Sequence, residues 1–367
     1  MKHIKERNIS LQVLRGISCI FVFIIHYFEE IRRFNTNLKT NALSQFAYYA
    51  DFGKIGVVSF FCLSGYLIVT SINSSSDKKI IKFLTKRFFR LYPAYWFSLC
   101  LLLVIFPGHF KGLHNFLTNL TMLQYTFETP YLNRVFWSLE TEMYFYFLST
   151  TFFIWNWHRV ELFWKIHFVV FLLILFFFIN YGTLYKINFY GRLIFNVSLM
   201  LLASQYRELR GKGPRKSILK KAFGINCILV MYPICNALFS FMSEGNQKAF
   251  TLFISYFSGI FFFVFALKFP LKKNFLSKIF CKLGDVSYSF YLTHIPILYL
   301  VFNSLPSFLI QATGYSSYLT MIISYILCNL FALLMHEAIE KPCLKLSYFI
   351  NGLPSVLASL KKRKITV

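Results

Sequence analysis

Eleven apolar segments recur along the chain, roughly at 11–28, 52–70, 91–106, 113–127, 136–155, 166–180, 190–206, 218–241, 249–267, 287–305 and 318–337. A helix needs about 20 apolar residues to cross the ~30 Å hydrocarbon core of a bilayer. Lipid offers no partner to a free backbone group, so apolar segments in series must cross as helices. The chain therefore reads as an all-α polytopic membrane protein embedded in the lipid bilayer. Its composition agrees: 57% of residues are hydrophobic and 14% are charged, against about 25% charged in soluble domains. The first segment has no small-residue cleavage site after it and is expected to stay as a helix.

The basic residues set the orientation. Lys and Arg gather at the N-terminus (Lys2, Lys5, Arg7), in 78–90, in 207–221, in 268–282 and at the C-terminus (Lys361, Lys362, Arg363, Lys364). Loops rich in Lys and Arg face the cytoplasm, so both termini and the three internal basic stretches are expected inside. Five apolar candidates lie between the basic stretch ending at Arg90 and the one starting at Arg207, and two inside loops need an even number of crossings. The weakest candidate is 113–127, which is short and carries His114, Asn115, Asn119 and Gln124. Read as a re-entrant or cavity-lining piece, it leaves ten transmembrane helices. Residues 1–345 then form the membrane domain and 346–367 a short basic cytoplasmic tail.

A net charge of +25 would point to nucleic acid in a soluble protein. Here topology uses that charge, so no nucleic acid partner is expected. The eight cysteines are scattered, and none has the CxxC spacing of a zinc or redox site. No metal is expected. There is no Walker loop, GxGxxG, HExxH or GxSxG.

Ionisable residues inside apolar segments are costly and are therefore candidates for function. The first segment, "LRGISCIFVFIIHYF", contains Arg15 and His26. Eleven residues are three helical turns plus about 20°, so both lie on one face, ~16 Å apart along the axis. Arg15 can equally snorkel to headgroups, and His26 can be a hydrogen-bonded core histidine; together they favour a polar cavity. "KRFFRLYPAYW" places Arg87 and Arg90 on one helical face, where they can clamp an anion such as phosphate or serve as ordinary positive anchors. Pro93 suits the start of the helix that follows. Glu140 and Glu142, in "FWSLETEMYFYF", point about 200° apart, so at most one can face a given cavity; capping the helix is the alternative for either. Ser64 precedes Gly65 in a small-residue stretch suited to close helix packing. "GDVSYSFYLTHIP" supplies Ser287, Tyr288 and His294 as cavity candidates, and Pro342 is expected to stop the last helix.

Taken in order, "LRGISCIFVFIIHYF", "GVVSFFCLSGYLI", "RFFRLYP", "WSLETEMYFY", "GDVSYSFYLTHIP" and "EKP" resemble the membrane acyltransferase-3 family, an acyltransferase-3-like bundle that O-acylates extracytoplasmic sugars and other molecules. The six stretches run from residue 11 to 342. Arg15 and His26 match the family's Arg-x10-His pair, implicated in catalysis. Arg87 and Arg90 match its Arg-x-x-Arg pair, linked to acyl-CoA use. Glu142, five residues after Trp137, matches its carboxylate. Met143 stands where the family has a second Glu, and Val58 where Asp is frequent.

The resemblance implies acyl-CoA (acetyl-CoA) as co-substrate, and a glycan or lipid-linked sugar acceptor such as a lipopolysaccharide O-antigen. It also implies a location in a bacterial inner (cytoplasmic) membrane. On this reading Glu142 faces His26 and orients its ring. A transporter or flippase of a lipid-linked sugar is the rival, since it too would place Arg, His and Glu in a membrane cavity.

Overall fold

The computed structural model describes residues 8–34, 42–73, 79–154, 189–210, 216–304 and 315–364. These residues form helices and turns, without a strand. The helices are α1 (Ile9–Phe34), α2 (Ala42–Ala50), α3 (Phe52–Asn73), α4 (Lys79–Ile105), α5 (Leu113–Leu120), α6 (Trp137–Ile154), α7 (Phe189–Leu209), α8 (Lys216–Glu244), α9 (Gln247–Lys268), α10 (Phe275–Asp285), α11 (Ser287–Ser304), α12 (Tyr315–Met335) and α13 (Lys341–Lys364).

Helices α1 and α3 pack on one another at the centre. Around them α1 also meets α10 and α11, while α3 meets α7 and α9. Between lipid-embedded helices the hydrophobic effect supplies little, because lipid tails are as apolar as Leu; close packing must hold the bundle instead. Gly65 of α3 shows how close: a Cβ there would stand 2.0 Å from the Met200 carbonyl oxygen of α7. Large side chains fill the other seams. Phe23, Tyr27, Phe28 and Ile31 of α1 are buried against Phe290 and Phe302 of α11 and Ala332 of α12. Outward faces stay apolar, with Ile228, Phe239, Phe261 and Leu334 exposed, as contact with lipid requires.

Six helices are long and apolar enough to cross a membrane among the described residues: Ile9–Arg32, Gln45–Ile68, Ile80–Ile105, Phe223–Glu244, Gln247–Lys268 and Tyr318–Gly352. The expected ten are not confirmed. The segment at 166–180 lies outside the described residues. Helices α7 and α11 correspond to expected segments but carry Arg192, Asn196, Gln205 and Arg207, or Ser287, Ser289, Thr293 and His294, which lower their hydropathy. Helix α5 has 8 residues, about 12 Å of rise, too short to span.

Two prolines behave differently from their sequence reading. Pro93 lies inside α4, which begins at Lys79; the basic stretch before it is helical because Lys and Arg are good helix formers. Arg87 and Arg90 therefore sit on a continuous helix. Pro342 does not end the last helix. A π-helical turn, His336–Glu340, leads into α13, where Pro342 occupies the first turn and its missing N–H is harmless. Helix α13 packs on α4, and the boundary expected at 345 falls inside it.

Candidate active site

One cavity gathers seven of the nine candidate side chains: Arg15, Ser64, Arg87, Arg90, Glu142, Ser287 and Tyr288 all line it. It takes in about 700 Å³ of empty space, its open mouth included. Helix α1 supplies Arg15, α4 the two other arginines, α3 Ser64, α6 Glu142, and the start of α11 Ser287 and Tyr288.

Three guanidinium groups face one carboxylate in this space, so it carries an excess of positive charge, which suits an anion. Glu142 is held in place: the Ser64 hydroxyl donates to its Oε1 at 2.8 Å, and Tyr146, one turn further along α6, donates to the same oxygen. Arg87 donates to the Tyr146 hydroxyl at 3.1 Å and to Ser71 at 3.3 Å, and its guanidinium lies 4.8 Å from the centre of the Tyr146 ring. The Tyr288 hydroxyl donates to the Leu91 carbonyl at 2.8 Å, which ties α11 to α4 just beyond Arg90. At the far wall, Ser138 and Tyr291 also line the cavity. Their hydroxyls are 2.7 Å apart, and Tyr291 donates to the Val135 carbonyl at 2.6 Å.

His26 and His294 are not in this cavity. They pack against each other, with ring centroids 5.3 Å apart, behind the wall that Tyr291 forms; its ring lies 5.8 Å from that of His294. The expectation that Glu142 faces His26 is overturned. His26 Nδ1 lies 2.8 Å from Glu29 Oε2, one turn along the same helix, so the imidazole finds its carboxylate locally. Arg134, in a short 3₁₀ turn (Arg134–Phe136) before α6, reaches Glu29 Oε2 at 2.9 Å and Glu30 Oε1 at 2.8 Å. His294 is fully buried; its Nδ1 sits 2.9 Å from the Tyr291 carbonyl, and its Nε2 has no partner among the described residues.

Glu140 has a separate role. Its buried carboxylate accepts from the backbone N–H groups of Tyr125 and Thr126 and from the hydroxyls of Thr126 and Tyr131. It pins the turns between α5 and α6; burial of the Tyr131 hydroxyl, and then its bond to the Glu140 carboxylate, push the Tyr131 pKa up. Sequence reasoning missed Glu29, Arg134, Tyr146 and Tyr291. The spacings His26–Glu29 and Glu142–Tyr146, three and four residues, are those of helical neighbours and could have shown two of them. Arg134 carries no local signal.

The described residues hold no group of three or more His, Cys, Asp or Glu side chains arranged to bind a metal. Searches of curated proteins and of solved structures each found no match. A family model described as an acyltransferase domain matches residues 8–336, which takes in both the arginine cavity and the histidine pair. The chain belongs to the acyltransferase-3 family.

Proposed function

We propose that this protein is an integral-membrane O-acyltransferase that moves an acetyl group from cytoplasmic acetyl-CoA to a hydroxyl of an extracytoplasmic glycan, such as a lipopolysaccharide O-antigen or a lipid-linked sugar. The carrying observation is the convergence of Arg15, Arg87 and Arg90 on one cavity beside the histidine pair. CoA is a polyanion with a long, thin arm, and charge-assisted bonds from guanidinium to phosphate are the strong kind. On this reading both termini lie in the cytoplasm, the membrane is the bacterial inner membrane, and the arginine cavity opens inward.

The acyl end of the donor reaches the histidines past Tyr291 and Ser138. His26 takes the proton of the acceptor hydroxyl as general base. The oxygen attacks the thioester carbonyl, the C–O bond of the ester forms and the C–S bond breaks. The proton then passes from His26 to the CoA thiolate. Glu142 acts as the counter-charge of the arginine cavity and anchors Tyr146 and Ser64; it is not the partner of the base.

Inverted membrane vesicles supplied with radiolabelled acetyl-CoA test this reading. Label appearing in the glycan fraction, dependent on this chain, is the expected result. Movement of lipid-linked sugar without any use of acetyl-CoA would support the transporter reading instead.

A further inference from the structure

We infer that Glu29, clamped by Arg134, is the positioning carboxylate of the acyl-transfer site. It holds the proton on Nδ1 of His26, so that Nε2 presents its lone pair to the acceptor hydroxyl. The inference rests on the reading of His26 as the base and adds the device that fixes its tautomer.

The geometry carries it. An ionised carboxylate can only accept hydrogen bonds, and Glu29 Oε2 lies 2.9 Å from an Arg134 nitrogen and 2.8 Å from His26 Nδ1. The guanidinium keeps that oxygen charged, so Nδ1 must be the donor. Which nitrogen of a neutral histidine is left bare is set by the hydrogen bond that the other nitrogen makes. A lone carboxylate at i+3 on a helix could swing away to solvent. Glu29 cannot do so cheaply, because Arg134 also grips Glu30 at 2.8 Å, and Glu30 is buried to 1% exposure. The clamp therefore holds two successive residues of α1 from outside the helix, and His26 lies one turn before them. A third group that orients a catalytic imidazole is the logic of the hydrolase triad, here assembled within one turn of a membrane helix. His294 faces the same ring from α11, but its Nδ1 donates to the Tyr291 carbonyl and its Nε2 has no hydrogen-bond partner among the described residues, so it does not orient His26 and Glu29 does.

Nitrogen-15 NMR of full-length protein labelled at histidine, in lipid nanodiscs, reads the tautomer directly. The His26 signals are assigned by their loss in His26→Ala. In the wild type Nδ1 is expected to be protonated and Nε2 bare. Glu29→Ala should lose that preference and lower turnover of acetyl-CoA about tenfold to a hundredfold, with its KM within about twofold of normal. Glu29→Gln keeps an acceptor oxygen and should recover at least about a third of the lost rate.

A wild-type His26 protonated at Nε2, or a Glu29→Ala enzyme of unchanged turnover, would overturn the inference. If Glu29→Ala does not fold, the wild-type nitrogen shifts decide alone. Wild-type protein that binds acetyl-CoA without turning it over contradicts the acyltransferase reading separately, and the shifts still report whether Glu29 holds the proton.

Discussion

At the scale of single residues, the arginine cavity and the turns above it make opposite demands on the two glutamates of α6. Glu142 offsets positive charge in the anion site. One unit of charge about 10 Å away is worth ~0.4–1.7 kcal/mol at effective dielectrics of 80 to 20. Glu142→Gln should therefore lower the KM for acetyl-CoA a few-fold, since the amide oxygen still accepts from Ser64 and Tyr146; a raised KM would count against the anion site. Glu140→Gln should act on stability instead. Four donors converge on its carboxylate, and bonds to a charged group are worth about 1.5–3 kcal/mol each, so a lowered unfolding temperature with near-normal KM is expected. Arg90→Ala should raise the KM for acetyl-CoA about tenfold to a hundredfold, the worth of one charged hydrogen bond. Arg87→Ala should do the same and also free Tyr146, to which Arg87 donates. An unchanged KM in both variants would remove the phosphate clamp. These side chains were legible in the sequence because an ionisable group in an apolar run has few structural excuses. Their pairing was not: the family resemblance implied Glu142 and His26 as partners, and only the packing of α6 against α3 sends Glu142 to Ser64.

At the scale of helices, the 3₁₀ turn before α6 joins the two halves of the site. Arg134 grips α1 beside His26, while Val135 and Ser138 bond Tyr291 at the cavity wall. A shift of this turn would move His26 and the wall together. The glycines define how near helices come. Gly65→Ala forces a Cβ to 2.0 Å from the Met200 oxygen, and overpacking of this kind costs about 1–3 kcal/mol or more. Thermal unfolding in detergent should show a clear loss of stability for Gly65→Ala. Gly224→Ala, where nothing stands within 4 Å, should be neutral or mildly stabilising. Equal effects would mean that α3 and α7 are not packed as described. The sequence marked Ser64-Gly65 as a packing site but misjudged both proline positions. Composition distinguishes a basic stretch from an apolar one, whereas a helix runs through both wherever backbone bonds can continue.

At the scale of the whole molecule, an apolar bundle surrounds a polar core that runs from the arginine cavity to the histidine pair. The class and the cavity's charged candidates could be read early, since hydropathy and scarce charges report them directly, whereas Glu29, Arg134, Tyr146 and Tyr291 were missed. The number of crossings could not be read, because polar helices such as α11 spend their hydropathy on the interior. Orientation remains a matter of the basic gaps, and it is open to test: cysteines placed at 245 and 246, between α8 and α9, should react with an impermeant reagent from outside, and one at 210 should not. The reverse pattern would point the arginine cavity away from cytoplasmic CoA. The role of His26 is tested most directly by His26→Ala, assayed in inverted vesicles with radiolabelled acetyl-CoA and by acetyl-CoA binding to the purified protein. General-base catalysis contributes about 10²–10⁴-fold. Transfer should fall by at least about a hundredfold with the binding constant unchanged; a folded variant that binds acetyl-CoA and transfers at more than about a tenth of the normal rate would contradict a general-base role for His26.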